Sequence, residues 1–166
     1  MTNALAFYPT TDLADAHPEQ ARHVQVPFRD FGGTRRFAGR VRTAVTMEDT
    51  RLVQDALFSA SGDGGVIVID GGGSLRTAML GDRMGERLIA NGWAGIVIYG
   101  AVRDAAALGK LDLGVKALGT TPFRSAKRGI GALDVPLAFG HVLIEPGQCI
   151  YCDEDGVLVS DETLIV

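Results

Sequence analysis

The chain predicts an α/β fold, and three observations predict it. Two short apolar runs, 65–69 and 94–99, are bounded by glycine-containing turns, the pattern of strands buried on both faces of a parallel sheet. Amphipathic stretches at helical spacing lie around them, of which 48–60 is the clearest. The last third breaks instead into short apolar runs at 135–139, 141–144, 148–152 and 157–159, separated by turns such as Glu145-Pro146-Gly147 and Asp153-Glu154-Asp155-Gly156. That is a β-meander. Central βαβ units followed by hairpins imply layers of helix and sheet packed together.

Taken in order, Thr10-Thr11-Asp12 ahead of Leu13, Ala14 and Ala16 predicts a short helix bounded by Pro18. Residues 23–28 and 37–46 alternate apolar and polar side chains and read as strands. In 48–60, Leu52, Val53, Ala56, Leu57 and Ala60 make one buried helical stripe. The strand 65–69 turns through Asp70-Gly71-Gly72-Gly73-Ser74 into a predicted short helix over 75–80. Asp82 opens the next helix, which Asn91-Gly92 stops. After the strand 94–99 come a helix over 103–109 with an alanine face and a strand over 115–119.

With 166 residues, one domain over 1–166 is expected, large enough to bury roughly 70% of its unfolded surface. Hydrophobic residues make up 46%, spread along the chain, which excludes a disordered polymer. No run reaches the ~18 apolar residues of a membrane span, and the first residues lack the basic flank of a signal peptide. A soluble cytoplasmic protein, free of any membrane, is the expectation. A net charge of −4 argues against direct nucleic-acid binding. One segment runs the other way: seven arginines (22, 29, 35, 36, 40, 42 and 51) face Asp30, Glu48 and Asp49, either a solvated face with surface pairs or a patch for an acidic partner or RNA. The two cysteines, Cys149 and Cys152, sit three apart on a predicted strand. They therefore point to opposite faces roughly 10 Å apart at ~3.3 Å per residue, too far for a disulfide, and no second pair completes a zinc site.

Chemistry concentrates elsewhere. Asp82 is followed, after twenty residues, by Arg103 and Asp104, and both groups lie in turns beside short apolar strands. Two loops can thus bring an acid, a guanidinium and a second acid to one point, a minimal kit for a hard cation and a small anionic substrate. Asp82 also reads simply as a helix cap accepting the amides of residues 84 and 85, and Arg103-Asp104 as a surface pair at a helix start. The Asp70-Gly-Gly-Gly turn completes neither a dinucleotide fingerprint nor a phosphate loop, since position 75 is leucine and no Gly-Lys-Ser/Thr follows. Its glycines serve a sharp turn.

Val66-Ile-Val-Ile-Asp-Gly-Gly-Gly-Ser74, Gly81-Asp82 and Val97-Ile98-Tyr99-Gly100-Ala101-Val102-Arg103-Asp104 together resemble the RraA-like family, which is also that of the class II 4-hydroxy-4-methyl-2-oxoglutarate aldolases. Phe31-Gly32-Gly33, Phe37-Ala38-Gly39, 113–119 and Pro146-Gly147 with Asp153-x-Asp155-Gly156-Val157 extend the resemblance over about residues 5–160. It implies an α/β/β sandwich related to swivelling phosphohistidine domains, and a homotrimer or dimer of trimers with sites at subunit interfaces. It implies Asp104 as the ligand of a divalent cation, Mg²⁺ or Mn²⁺. Arg103 is then a catalytic residue on the pyruvyl oxygens, the loop Gly81, Asp82, Arg83 and Met84 a cradle for the substrate carboxylate, and Asp82 the holder of a catalytic water. The implied activity is aldol cleavage of 4-hydroxy-2-oxo acids to pyruvate, with oxaloacetate decarboxylation through the same enolate. The alternative it carries is a non-catalytic regulator that binds and inhibits an RNase E-type ribonuclease. Short members of that kind lack the Arg-Asp pair, which is intact here. A methyltransferase name also circulates in the family, but no residue here supports methyl transfer.

Overall fold

The computed structural model describes residues 2–166. Its elements are α1 (Thr10–Ala16), β1 (Arg22–His23), β2 (Arg29–Asp30), β3 (Phe37–Val45), α2 (Arg51–Val53), β4 (Val66–Asp70), α3 (Asp82–Ala90), β5 (Gly95–Val102), α4 (Ala105–Leu108), β6 (Gly114–Thr120), β7 (Ala132–Leu133), β8 (Leu137–Phe139), β9 (Val142–Ile144), β10 (Cys149–Asp153) and β11 (Gly156–Ser160). Strands pair in the order β1-β11-β10-β3-β4-β5-β6-β2, with β7 alongside β3 and β8-β9 as a separate hairpin.

β3 joins the layers. Its first half pairs antiparallel with β10 and its second half parallel with β4. The β10-β11 hairpin is thereby folded over one face of the parallel strands β3-β4-β5-β6. Between these two sheet layers lie Val66, Val68 and Val97 from one side and Ile150, Cys152, Val157 and Val159 from the other. The opposite face of the parallel sheet, with Ile67, Ile69, Ile96, Ile98, Val115 and Ala117, packs on Val53, Leu57, Phe58, Leu88 and Leu108 of the helical layer. The architecture is thus α/β/β, as expected. α1 adds Leu13 to the outer face of the hairpin, against Cys149, Tyr151 and Leu158. Phe37 lies so close over the strands that a methyl group on Gly114 would come 2.2 Å from its ring. Cys149 and Cys152 do face opposite sides, and both are buried free thiols. Burial pushes the Cys152 thiol well above its ordinary value, and nearby Lys116 only partly offsets that. Lys116 is itself buried in β6. It pairs with Asp30 at 3.0 Å and fastens β2 to the sheet edge.

Several elements depart from the sequence pattern. The helix expected over 48–60 begins only at Arg51 and widens into a π-turn over Gln54–Phe58. That winding stacks Phe58 beneath Val53, so Val53, Leu57 and Phe58 are the buried set while Leu52, Ala56 and Ala60 are only half-buried. No helix forms over 75–80. There Ala78 pairs with both Ala101 and Arg124, and the Met79 amide donates to the Ala101 carbonyl, so tertiary pairing holds the segment extended. The strand expected over 23–28 shrinks to Arg22–His23. Gly72 and Gly73 adopt positive φ (66° and 71°), and the amides of Gly71 and Gly73 both donate to the Tyr99 carbonyl. The triple glycine is a turn, as its composition implied. No helix among the described residues is long and apolar enough to cross a membrane.

Candidate active site

The site is assembled where β5 ends. β5 carries one extra residue relative to β6 between Ile98 and Ala101, a bulge of the kind that re-aims a strand end. Just beyond it, the extended segment 78–80 runs beside β5. Met79 N–H donates to the Ala101 carbonyl at 2.8 Å and Arg103 N–H to the Leu80 carbonyl at 2.9 Å. These bonds lay Gly81 and Asp82 directly against Arg103 and Asp104. The twenty intervening residues close on themselves through α3 and β5.

The contacts are direct. Asp82 N–H donates to Asp104 Oδ2 at 3.2 Å. Arg103 Nε stands 4.0 Å from the same oxygen, and both side chains are part exposed. A methyl group on Gly81 would sit 2.6 Å from Asp104 Oδ2 and 3.6 Å from Arg103 Cγ. The backbone at Gly81 is extended (φ −131°), so the glycine matters for space and not for its dihedrals. Gly81→Ala is expected to fold normally yet displace the Asp104 carboxylate. Since a misplacement of about 1 Å can cost on the order of 10²-fold in rate, turnover should fall steeply at unchanged melting temperature.

Of the two readings the sequence left open for Asp82, the helix cap is not the one formed. Gly81 occupies the capping position, Asp82 is the first residue of α3, and its Oδ1 accepts the neighbouring Arg83 amide at 2.7 Å. The Gly85 amide bonds the Gly81 carbonyl, which leaves the Met84 amide of the first turn without an acceptor among the described residues. Free amides at a helix start bind anions. Asp104 adopts the left-handed conformation, φ +56° and ψ 40°, and occupies the position before α4 without a side-chain capping hydrogen bond. The helix expected from residue 103 therefore starts only at Ala105. Such strained non-glycine positions cluster at functional sites.

All six residues singled out from sequence, Gly81, Asp82, Arg83, Met84, Arg103 and Asp104, line one pocket of about 640 Å³. The structure adds Arg87, Arg124 and Lys127, which the sequence reading missed, along with Thr50, Gln54 and Ser125. Arg87 had a signal, lying four residues after Arg83 on one helix. Arg124 and Lys127 had none, because they stand in an aperiodic segment. Five cations against two carboxylates give the pocket an excess of positive charge, which attracts anions. The Arg22–Arg51 segment, in contrast, is largely paired within the protein itself: Arg22 with Asp161, Arg36 with Glu154, Arg42 with Asp134 and Arg51 with Asp55.

Next in sequence to the pocket-lining Thr50, buried Asp49 accepts amides from Arg128 (2.6 Å), Arg51 (3.0 Å) and Gly129 (3.1 Å). Burial alone would raise its carboxyl, but these amides outweigh burial and hold it below the usual range.

A folded-over pair of sheet layers with helices outside, and a cation-rich pocket at the end of a parallel strand, define the class of protein: an α/β/β sandwich with one basic pocket at a strand end. A family model described as RraA-like, Aldolase/RraA, matches residues 10–159. The chain belongs to the RraA-like family. A protein of Alkalilimnicola ehrlichii named "Putative 4-hydroxy-4-methyl-2-oxoglutarate aldolase" is 48% identical over 157 residues, covering 95% of this chain and 97% of the relative. The solved structure of a Thermus thermophilis protein named the RNA-processing inhibitor RraA matches with a TM-score of 0.90 at 46% identity, covering 93% of each chain. That of a Geobacillus kaustophilus protein named S-adenosylmethionine: 2-dimethylmenaquinone methyltransferase matches with a TM-score of 0.91 at 42% identity, covering 93% of this chain and 96% of that one.

Proposed function

We propose that this protein is a divalent-cation-dependent lyase that cleaves 4-hydroxy-4-methyl-2-oxoglutarate and related 4-hydroxy-2-oxo acids to pyruvate, and that also decarboxylates oxaloacetate. The observation that carries the reading is the convergence of Asp82, Arg103 and Asp104 in one cation-rich pocket, in a chain whose relatives are named for that aldolase.

The donor set fits a cation held by few protein atoms. Asp104 offers one part-exposed carboxylate on the pocket wall, with Asp82 beside it, and no three His, Cys, Asp or Glu side chains converge here or at any other place among the described residues. That suits Mg²⁺ or Mn²⁺, ions content with one or two carboxylates plus water and substrate oxygens. When bound, the cation supplies a Lewis acid for the 2-oxo group, worth several kcal/mol of charge stabilisation. The protein's own residues do the rest. The Met84 amide and the start of α3 receive the carboxylate beside the 2-oxo group. Asp82, directly or through a water, takes the proton of the 4-hydroxyl. The bond between C3 and C4 breaks, C4 becomes a carbonyl, and the electron pair moves onto the pyruvyl fragment as an enolate. Arg103 faces the developing oxyanion with a fixed positive charge. A proton returned to C3 completes pyruvate. Loss of CO₂ from oxaloacetate leaves the same enolate, so the two activities share these residues.

We also place this chain in a cytoplasmic homotrimer, or a dimer of trimers, with the pocket at a subunit boundary. Met47, Leu75, Phe123 and Ile130 are exposed apolar side chains, and Phe123 and Ile130 lie on either side of the pocket-lining Arg124 and Lys127 in sequence. The second reading, a regulator that binds a ribonuclease, draws support from the Thermus relative, which is named an RNA-processing inhibitor. The ion-paired arginines of the Arg22–Arg51 segment leave it less basic surface than the sequence suggested.

The test is pyruvate release from oxaloacetate with Mg²⁺ and then with EDTA, read by lactate dehydrogenase against a no-enzyme control. EDTA-sensitive release above the control is expected. Its absence with Mg²⁺, Mn²⁺ and Co²⁺ alike would overturn the lyase reading in favour of the regulator.

A further inference from the structure

Two uncharged hydrogen-bonding side chains stand among the cations of the pocket. Thr50 is buried, only 1% exposed, and Gln54, four residues on, is half-buried. Both line the cavity that holds Asp82, Arg103 and Asp104. Gln54 opens the π-turn, a winding that recurs at functional sites.

The pair is held from several directions. The Gln54 side-chain amide donates to Thr50 Oγ1 at 2.9 Å. The Thr50 backbone amide bonds the Ala126 carbonyl at 3.0 Å. Further along the turn, the Ser59 hydroxyl donates to the Gln54 carbonyl at 2.7 Å and accepts the guanidinium of Arg87 from α3. Thr50 and Gln54 are thereby tied both to Ala126 and to α3. Capacity remains unused. The Thr50 hydroxyl donates to no acceptor, and Gln54 Oε1 accepts from no donor, among the described residues. Turning the amide over would exchange the roles of the two side chains and still leave the pair a donor and an acceptor.

Charge decides what a neutral donor can do here. In aldol cleavage the 4-hydroxyl gives up its proton to Asp82 or its water. Negative charge builds on that oxygen before it becomes the carbonyl of the departing fragment. A fixed donor beside the oxygen stabilises that charge and keeps its own proton throughout. In oxaloacetate decarboxylation the opposite happens at C4, where the carboxylate loses its charge as CO₂ departs. A donor to that group binds the ground state at least as well as the transition state and does not raise the rate.

We infer that Thr50 is the hydrogen-bond donor to the C4 oxygen in aldol cleavage, with Gln54 as the positioning residue that orients its hydroxyl, so that this pair favours carbon–carbon cleavage over decarboxylation. The inference rests on the lyase reading. It concerns how one site divides its two activities, and it lies outside the Asp82, Arg103 and Asp104 set that both share.

The test is a ratio of two rates in the intact protein with Mg²⁺: pyruvate release from 4-hydroxy-4-methyl-2-oxoglutarate and from oxaloacetate, each against EDTA and no-enzyme controls. Thr50→Val nearly keeps the shape of the side chain and removes its hydroxyl. It is expected to lower kcat for cleavage on the order of 10²-fold, the range for a lost oxyanion donor, with a far smaller change in decarboxylation. Thr50→Ser should keep the parental ratio. Gln54→Met, at the less buried position, should shift the ratio in the same direction by a smaller factor. A folding defect lowers both rates together and leaves the ratio where it was. An unchanged ratio in Thr50→Val, or a parent that decarboxylates oxaloacetate yet cleaves no hydroxy acid, would overturn the inference while the metal-dependent site stood. A ratio moved by Thr50→Val but not by Gln54→Met would strike Gln54 from it. No EDTA-sensitive release from either substrate would remove the lyase reading as well.

Discussion

Asp104→Asn lowers EDTA-sensitive pyruvate release to the no-enzyme background while leaving the melting temperature near that of the parent. The reasoning begins with the backbone. Asp104 sits at φ +56°, a conformation Asn tolerates almost as well as Asp. Asn also keeps an oxygen for the Asp82 amide, which stands 3.2 Å from Asp104 Oδ2. Shape and this contact are preserved, and only the negative charge is lost. On the proposed lyase reading that charge is what holds the divalent cation, and a site with a single protein carboxylate cannot spare it. Asp104→Ala should be equally inactive but less stable, by about 1 kcal/mol, because alanine enters the left-handed region at a higher cost. Thermal melts beside the coupled assay separate the two effects. A near-parental rate in the Asn variant would remove Asp104 from the mechanism.

Arg103→Lys is the second large effect, a loss on the order of 10²-fold or more in kcat, the range for a missing oxyanion donor. The guanidinium stands 4.0 Å from Asp104 and is part exposed, so its ion pair contributes little to folding, about 0–1 kcal/mol. The charge is thus available to substrate. Lysine keeps the charge as a point on a flexible stem and loses the planar fork that engages two oxygens at once. The deficit should appear in kcat as well as KM, because the contact tightens as the oxyanion forms. Steady-state kinetics on oxaloacetate distinguish this from a pure binding defect, which would raise KM alone.

The parts of this molecule legible in its sequence share a local cause. β4 is buried from Val66 to Ile69 and reads as an unbroken apolar run because both of its faces meet packed layers. α3 keeps the bounds its composition indicates, opening at Asp82 and closing at Ala90 ahead of Asn91-Gly92. The errors have a non-local cause. Residues 75–80 hold helix-compatible side chains, yet pairing of Ala78 with Ala101 and Arg124 keeps them extended. The π-turn at Gln54–Phe58 depends on burying Phe58 against the sheet, which no periodic template contains. Asp82 looked like a cap because Asp ahead of an apolar stripe usually is one, but Gly81 takes that place and lets Asp104 approach.

By itself, the sequence determined the α/β character of the chain and its family resemblance, and it singled out Asp82, Arg103 and Asp104 as candidates, since these depend on residue type and spacing along the chain. Only the tertiary structure decided that the set converges, through backbone bonds between 79–80 and 101–103, and that Arg87, Arg124 and Lys127 complete the pocket. The physical reason is that spacing encodes which residues share an element. Which separate elements meet is decided by the burial of whole sheet faces and by amides seeking carbonyls and carboxylates far away in sequence.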